Sequence, residues 1–221
     1  MASVERTRFG RFLHMGGRNC ILVLLLLAGG GCRSATTHEL GPGELSVQAV
    51  TLDLPLVEQD SLYTCGLASV SALCQYWNVE LSDVERDRLA RTAEQEGGLS
   101  GRELQAALDR IGMESYLFQG SLDRTSTGLY RHVDKGRPPL VMICPDATTF
   151  HYCLVLGYDE PHGNLILLDP AQGEVLTSLA AFDRSWARCQ RFTLLACPKE
   201  ETGAIALGSS GPAPASTGRN P

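Results

Sequence analysis

At 221 residues the chain has room for one ordinary domain plus extensions, and not for two large ones. A hydrophobic fraction of 43% with 20% charged residues is that of a globular domain able to bury a core. The net charge of -6, with no Lys/Arg stripe beyond the extreme N-terminus, sets nucleic acid aside as a partner.

The opening is chemically distinct. Arg6, Arg8, Arg11 and Arg18 form a basic stretch ahead of the apolar run Cys20 to Ala28, and Gly29, Gly30 and Gly31 then lead to Cys32. A basic region, a short apolar region and small residues before a cut describe a secretory signal. The run is about half of the roughly 20 residues that a bilayer-spanning helix needs, so a permanent transmembrane helix is not expected. Cys32 directly after small residues resembles the lipobox of bacterial lipoproteins, in which that cysteine is acylated and becomes the first residue. The resemblance implies a signal peptide over 1–31, lipidation at Cys32 and a tether over 32–45. It also implies a cell-envelope address, anchored to a bacterial membrane and facing the periplasm or exterior. The alternative is an ordinary signal peptide cut near Ala28 to Gly31, releasing the chain.

Outside the cytoplasm, cysteines are read against an oxidising compartment. Six lie beyond Cys32: Cys65, Cys74, Cys144, Cys153, Cys189 and Cys197. An even set invites disulfides, but spacing does not reveal the pairing. None has CxxC spacing, so no metal and no cofactor are expected. Cys74, Cys144, Cys153 and Cys197 sit in apolar runs, where cysteine is usually a small buried hydrophobe.

The folded domain is expected over 46–198. From Lys199 to Pro221 the chain is rich in Gly, Ser, Ala and Pro and is expected to be disordered. Cys65 to Trp77 reads as a helix with Thr64 as N-cap, and Ser82 to Glu94 as a second, polar helix. Ser100 with Glu103 gives a capping-box start to a third, which Gly112 stops. The period then changes. Leu140 to Cys144, Tyr152 to Leu156, Leu165 to Leu168 and Arg191 to Ala196 read as strands separated by turn residues. Helices first and strands afterwards predict an α+β domain with an antiparallel sheet.

Four residues point to chemistry. Cys65 stands where a polar stretch becomes an apolar helix, and a thiol in a helix's first turn is favoured as thiolate. Gly66 beside it is expected to leave the backbone open to a substrate carbonyl. His151 opens the strand Tyr152 to Leu156, a position that presents an imidazole at a cleft edge as general base. His14, His38, His132 and His162 are weaker candidates, lying in the leader, the tether, a polar helix and a turn. Asp169 ends the next strand; in a hairpin its carboxylate would accept the imidazole N–H and fix the ring. Gln59, six residues before Cys65, is placed to donate to an oxyanion, a contribution on the order of 3 kcal/mol in comparable sites.

Gln59, Cys65-Gly66, His151 before an apolar strand, and Asp169-Pro170 together resemble the bacteriocin-processing (double-glycine leader) cysteine peptidase family. The stretch Gly98 to Gly112 is similar to that family's second helical segment, and Thr64 takes the place of its usual acidic residue before the cysteine. The resemblance covers about 50 to 195 and implies a papain-like fold, with the nucleophile at a helix N-terminus packed on an antiparallel sheet. It implies a thiol peptidase with Cys65 as nucleophile, His151 as base, Asp169 as orienter and Gln59 in the oxyanion hole, acting on a peptide or protein substrate. Two other readings stay open. One is a non-catalytic envelope module that binds a peptide or partner, with Cys65 in a disulfide to Cys74 or another thiol. The other is a hydrolase of cell-wall peptides.

Overall fold

The computed structural model describes residues 37–146, 148–199 and 216–217; the expected signal peptide, Cys32 and the rest of the expected disordered tail lie outside the described residues. In chain order the first elements are β1 (Thr37–Glu39), β2 (Val50–Thr51), α1 (Cys65–Tyr76), α2 (Asp83–Glu96) and α3 (Gly101–Arg110). There follow β3 (Met113–Gln119), α4 (Leu129–Asp134), β4 (Leu140–Ile143), β5 (His151–Asp159), β6 (Asn164–Asp169) and β7 (Gly173–Ser178). α5 (Leu179–Arg188), β8 (Phe192–Pro198) and β9 (Ser216–Thr217) complete the series. Among the described residues no helix is long and apolar enough to cross a membrane.

The helical half follows from local chemistry. In α1 the residues Cys65 to Cys74 are all buried. A helix that is apolar on every side has to lie inside the fold, and this one packs on β5. Thr64 does stand at the N-cap, but its side chain makes no capping bond. Its Oγ1 accepts from the Ser61 N–H at 3.0 Å and donates to the Ser61 carbonyl at 3.1 Å, so it stiffens the preceding turn instead. α2 is capped by Ser82 and ended by Gly97 in the left-handed region (φ 72°), a conformation that glycine adopts at little cost. α3 carries the full capping box, with Ser100 Oγ accepting from the Glu103 N–H and the Glu103 carboxylate accepting from the Ser100 N–H. Glu85 of α2 is buried and bridges Arg88 and Arg110, each at 2.7 Å, which ties α2 to α3. The Arg88 hydrogen bond outweighs burial and, with Arg110, holds this carboxyl down at about 2 against an ordinary 4.5. That clamp is at full strength above the ordinary value and weakens as pH falls toward 2.

The strands form one antiparallel sheet in the order β1-β7-β6-β5-β4-β8-β3. β5 is buried at every position after His151, as a central strand covered on both faces must be. β2 crosses over to pair with β5, with Thr51 opposite Gly157, and β9 pairs in turn with β2. A side chain at Gly157 would put its Cβ 2.1 Å from the Val50 carbonyl oxygen, so only glycine lets β2 approach there. This α+β arrangement with an antiparallel sheet is the one that the change of period predicts, and it is consistent with the papain-like fold that the family resemblance implies.

Differences lie at the margins. Thr37–Glu39, expected as part of a tether, pair with Val175–Thr177 of β7 because that strand offers an open edge. β3, β7, α4 and α5 have no counterpart among the elements named from the sequence, apart from the polar helix around His132. Cys74, Cys144 and Cys153 are buried as expected, whereas Cys197 is only partly so.

Candidate active site

Cys65 opens α1, so its sulfur sits among backbone N–H groups that have no partner within the helix. β5 delivers His151 to the same place through its first residue, and the β5–β6 hairpin brings Asp169 alongside. His151 Nε2 lies 2.8 Å from Asp169 Oδ1. That oxygen also accepts from the Ala171 N–H at 2.8 Å, and Oδ2 accepts from Gln172 Nε2 at 3.1 Å. Both carboxylate oxygens are therefore held by the turn that follows β6. The Cys65 thiol lies near enough to the imidazole for each to shift the other's ionisation, so the three groups gather in one place.

Gln59 joins them through its backbone: its N–H donates to the Pro170 carbonyl at 3.0 Å, pinning the segment before α1 to the residue after Asp169. Its Nε2 donates to the Ser61 carbonyl at 2.9 Å, while its Oε1 is buried without a hydrogen-bond partner. One N–H of the side-chain amide is thus engaged locally and the other remains for a further acceptor. Gly66 is placed differently from the sequence expectation. A Cβ there would point at Leu104 and Tyr152, each 3.2 Å away, so the glycine serves close packing of α1 on α3 and β5 and does not open a path for substrate.

A family model described as the Peptidase C39 family matches residues 53–201. The chain belongs to the Peptidase C39 family. It is accordingly a cysteine-type peptidase. The C39 fold is similar to the peptidase domain of Streptococcus ComA, a bi-functional ABC transporter involved in a quorum-sensing pathway. The identity is 20% over 65% of this chain and 98% of that one, with a TM-score of 0.54. It is also similar to a double glycine motif protease from an AMS/PCAT transporter, solved with the leader peptide. There the identity is 19% over 70% of this chain and 100% of that one, with a TM-score of 0.51. A C39-like peptidase from Bacillus anthracis shares 15% identity over 69% of this chain and 99% of that one, with a TM-score of 0.55. At such identities the likeness is one of fold. No curated protein matches the chain.

Electrostatics in the C39 site separate two thiols. Burial opposes ionisation of Cys65, but the His151 hydrogen bond and the N–H groups of Tyr152 and Gly66 leave it below its ordinary 9.0. Cys153, two residues after His151 and so on the same face of β5, also touches the imidazole. It is fully buried, and burial pushes it up to about 11, so it stays a protonated thiol. Burial alone would lower His151, yet its bonds to Asp169, Cys153 and Cys65 raise it well above 6.5. Asp169 is penalised by burial, but His151, Ala171 and Gln172 hold it below 3.8 and ionised. The arrangement favours a thiolate at Cys65 beside an imidazolium. His151, Cys153 and Asp169 could each turn a ligand atom to a metal, these atoms lying within 4.8 Å of one another. His151 and Asp169 already direct theirs at each other, 2.8 Å apart.

The site opens on a cleft of about 830 Å³ whose walls include Gln59, Leu62, Tyr63, Phe150, His151 and Asp169. Strand alternation read from His151 was the signal that could have found Cys153. Nothing local marked Ala171 and Gln172, whose roles depend on how the chain turns after β6.

Proposed function

We propose that this C39 peptidase hydrolyses a peptide bond through an acyl-enzyme on Cys65, with His151 as base, Asp169 as orienter and Gln59 in the oxyanion hole. The observation that carries this reading is the gathering of the Cys65 thiol, the His151 imidazole and the Asp169 carboxylate, with His151 Nε2 2.8 Å from Asp169 Oδ1 and the imidazole lowering the thiol's pKa. The thiolate attacks the carbonyl carbon while the N–H of Cys65 and the Gln59 amide donate to the developing oxyanion. His151 then protonates the leaving amine, the C–N bond breaks, and a thioester remains. A water that gives its proton to His151 attacks this thioester, releasing the acid and restoring the thiol.

The cleft supports an extended peptide as substrate. Leu62 and Phe150 are 84% and 62% exposed beside it, giving apolar side chains a footing. Cys65 is only 6% exposed, so a slim backbone reaches it most easily, which fits a glycine-type junction such as the one named for the AMS/PCAT neighbour. Iodoacetamide at neutral pH tests the nucleophile. Cys65 should be alkylated well ahead of Cys74 and Cys153, because an ordinary thiol is mostly protonated there. Labelling of Cys65 no faster than theirs would count against the reading.

The leader supports a further element of the proposal: export, acylation of Cys32 and residence in the cell envelope. Mass spectrometry of a bacterial membrane fraction should find a fatty-acylated peptide beginning at Cys32. Recovery of the whole chain from the soluble fraction, with Cys32 unmodified, would overturn it.

A further inference from the structure

Two cysteines that the chemistry above does not use lie against each other. Cys144 follows the end of β4, and Cys189 caps the C-terminus of α5, 45 residues later. Their sulfurs are 2.9 Å apart, and both residues are buried, at 3% and 4% exposure. The sulfurs of a disulfide stand at about 2.0 Å, so closure asks for a movement of about 1 Å. The surrounding backbone is already docked for it. The Cys144 N–H donates to the Ser185 carbonyl at 3.1 Å, and the Arg188 guanidinium donates to the carbonyls of Cys144 and Pro145, each at 3.2 Å.

The location gives the pair a consequence. Between the end of β4 and His151, Pro145, Thr148, Thr149 and Phe150 belong to the wall of the cleft. The segment enclosed between the two cysteines contains both His151 and Asp169. Cys65 and Cys153, by contrast, turn their thiols to His151.

We propose that Cys144 and Cys189 form a disulfide that ties the end of β4 to the C-terminus of α5 and leaves Cys65 a free thiol. The oxidant is of the thiol–disulfide class. One cysteine of the pair, as thiolate, attacks a sulfur of the oxidant's disulfide, and the oxidant's other sulfur departs as a thiol. The second cysteine's thiolate then displaces the oxidant from the mixed disulfide. The pair loses two protons and two electrons, and the oxidant's S–S bond is reduced to two thiols. In the folded state burial and Cys144 push the Cys189 thiol up to about 12, so the reaction is slow once the fold is closed and fast while the chain folds.

The test treats the full chain with a mixture of oxidised and reduced glutathione, in one arm as the folded protein and in the other during refolding from denaturant. Remaining thiols are then blocked with iodoacetamide, and peptides are mapped without reduction. The expected product is one cross-linked peptide joining Cys144 to Cys189, with Cys65 alkylated. The cross-linked protein should melt roughly 5–10 °C higher than the reduced one, a gain that dithiothreitol abolishes. Cys144→Ser and Cys189→Ser should show neither the cross-link nor the gain, while Cys65→Ser should show both. Alkylation of both Cys144 and Cys189 in both arms overturns the proposal, as does a bridge from either to another cysteine. None of these readouts requires peptide hydrolysis, so this inference and the proposed function fail separately.

Discussion

Replacing Cys65 with alanine is expected to lower the rate of peptide hydrolysis by roughly 10⁴–10⁶-fold while leaving the fold in place. The size follows from covalent catalysis: without the sulfur no acyl-enzyme forms, and the remaining oxyanion donors and cleft supply only residual rate. His151→Ala should cost about as much, and the double variant little more, because the two act as one unit. Cys65 is a buried residue at the very start of α1, so removing its sulfur leaves only a small void. Circular dichroism should therefore superimpose on that of the wild type. A variant that retains a tenth of the activity, or one that unfolds, would move Cys65 from nucleophile to packing residue. Cys153→Ala is the matching control: its thiol also touches His151, but it is held protonated and is expected to leave the chemical step largely intact.

Removing the carboxylate in Asp169→Ala should reduce kcat by roughly 10²–10⁴-fold. It should also move the alkaline limb of the pH–rate profile to lower pH. The sign follows from the site's charges. The ion pair exists above the lowered value of Cys65 and below the raised value of His151, so activity is lost at high pH as the imidazolium gives up its proton. Among the groups that keep His151 protonated, Asp169 is the strongest; without it, burial pulls His151 back down. In stability terms, the imidazolium's bond to Asp169 is fully present below 6.5 and is lost as pH rises through the raised value. Asp169→Asn should restore much of the rate, since its amide oxygen can still accept the ring N–H, but not the alkaline limb. An alkaline limb that stays in place in both variants would show that Asp169 does not act through His151. The two macroscopic values belong to the coupled pair, so the shift of the profile is the quantity to compare.

The features readable from the chain share a property: each was written in a few neighbouring residues. The capping box at Ser100 and Glu103, the left-handed stop at Gly112 (φ 83°) and the apolar run of β5 depend on local sterics and on periods of 3.6 or 2. They emerge with boundaries close to those expected. β1 and β7 are less visible because a strand of three residues or one rich in turn neighbours gains its order from pairing, as Thr37–Glu39 do from β7. Gly66 shows the limit from the other side. Its smallness suggested access for a substrate carbonyl, whereas its neighbours Leu104 and Tyr152, distant in sequence, give it a packing role.

By itself the sequence determined that a cysteine begins a buried helix, that a histidine opens an apolar strand, and that an aspartate closes the next one. Local propensity and spacing are enough for each of these. Only the tertiary structure decided that the three converge, that Gln59 is tied to Pro170, that Cys153 is a second thiol at the imidazole, and that Cys144 meets Cys189. Those contacts join residues from 2 to 111 positions apart through the antiparallel register of β5 and β6 and the packing of α1 and α5. Register and packing are set by the burial of whole faces, a property of the assembled sheet that no short stretch of chain carries alone.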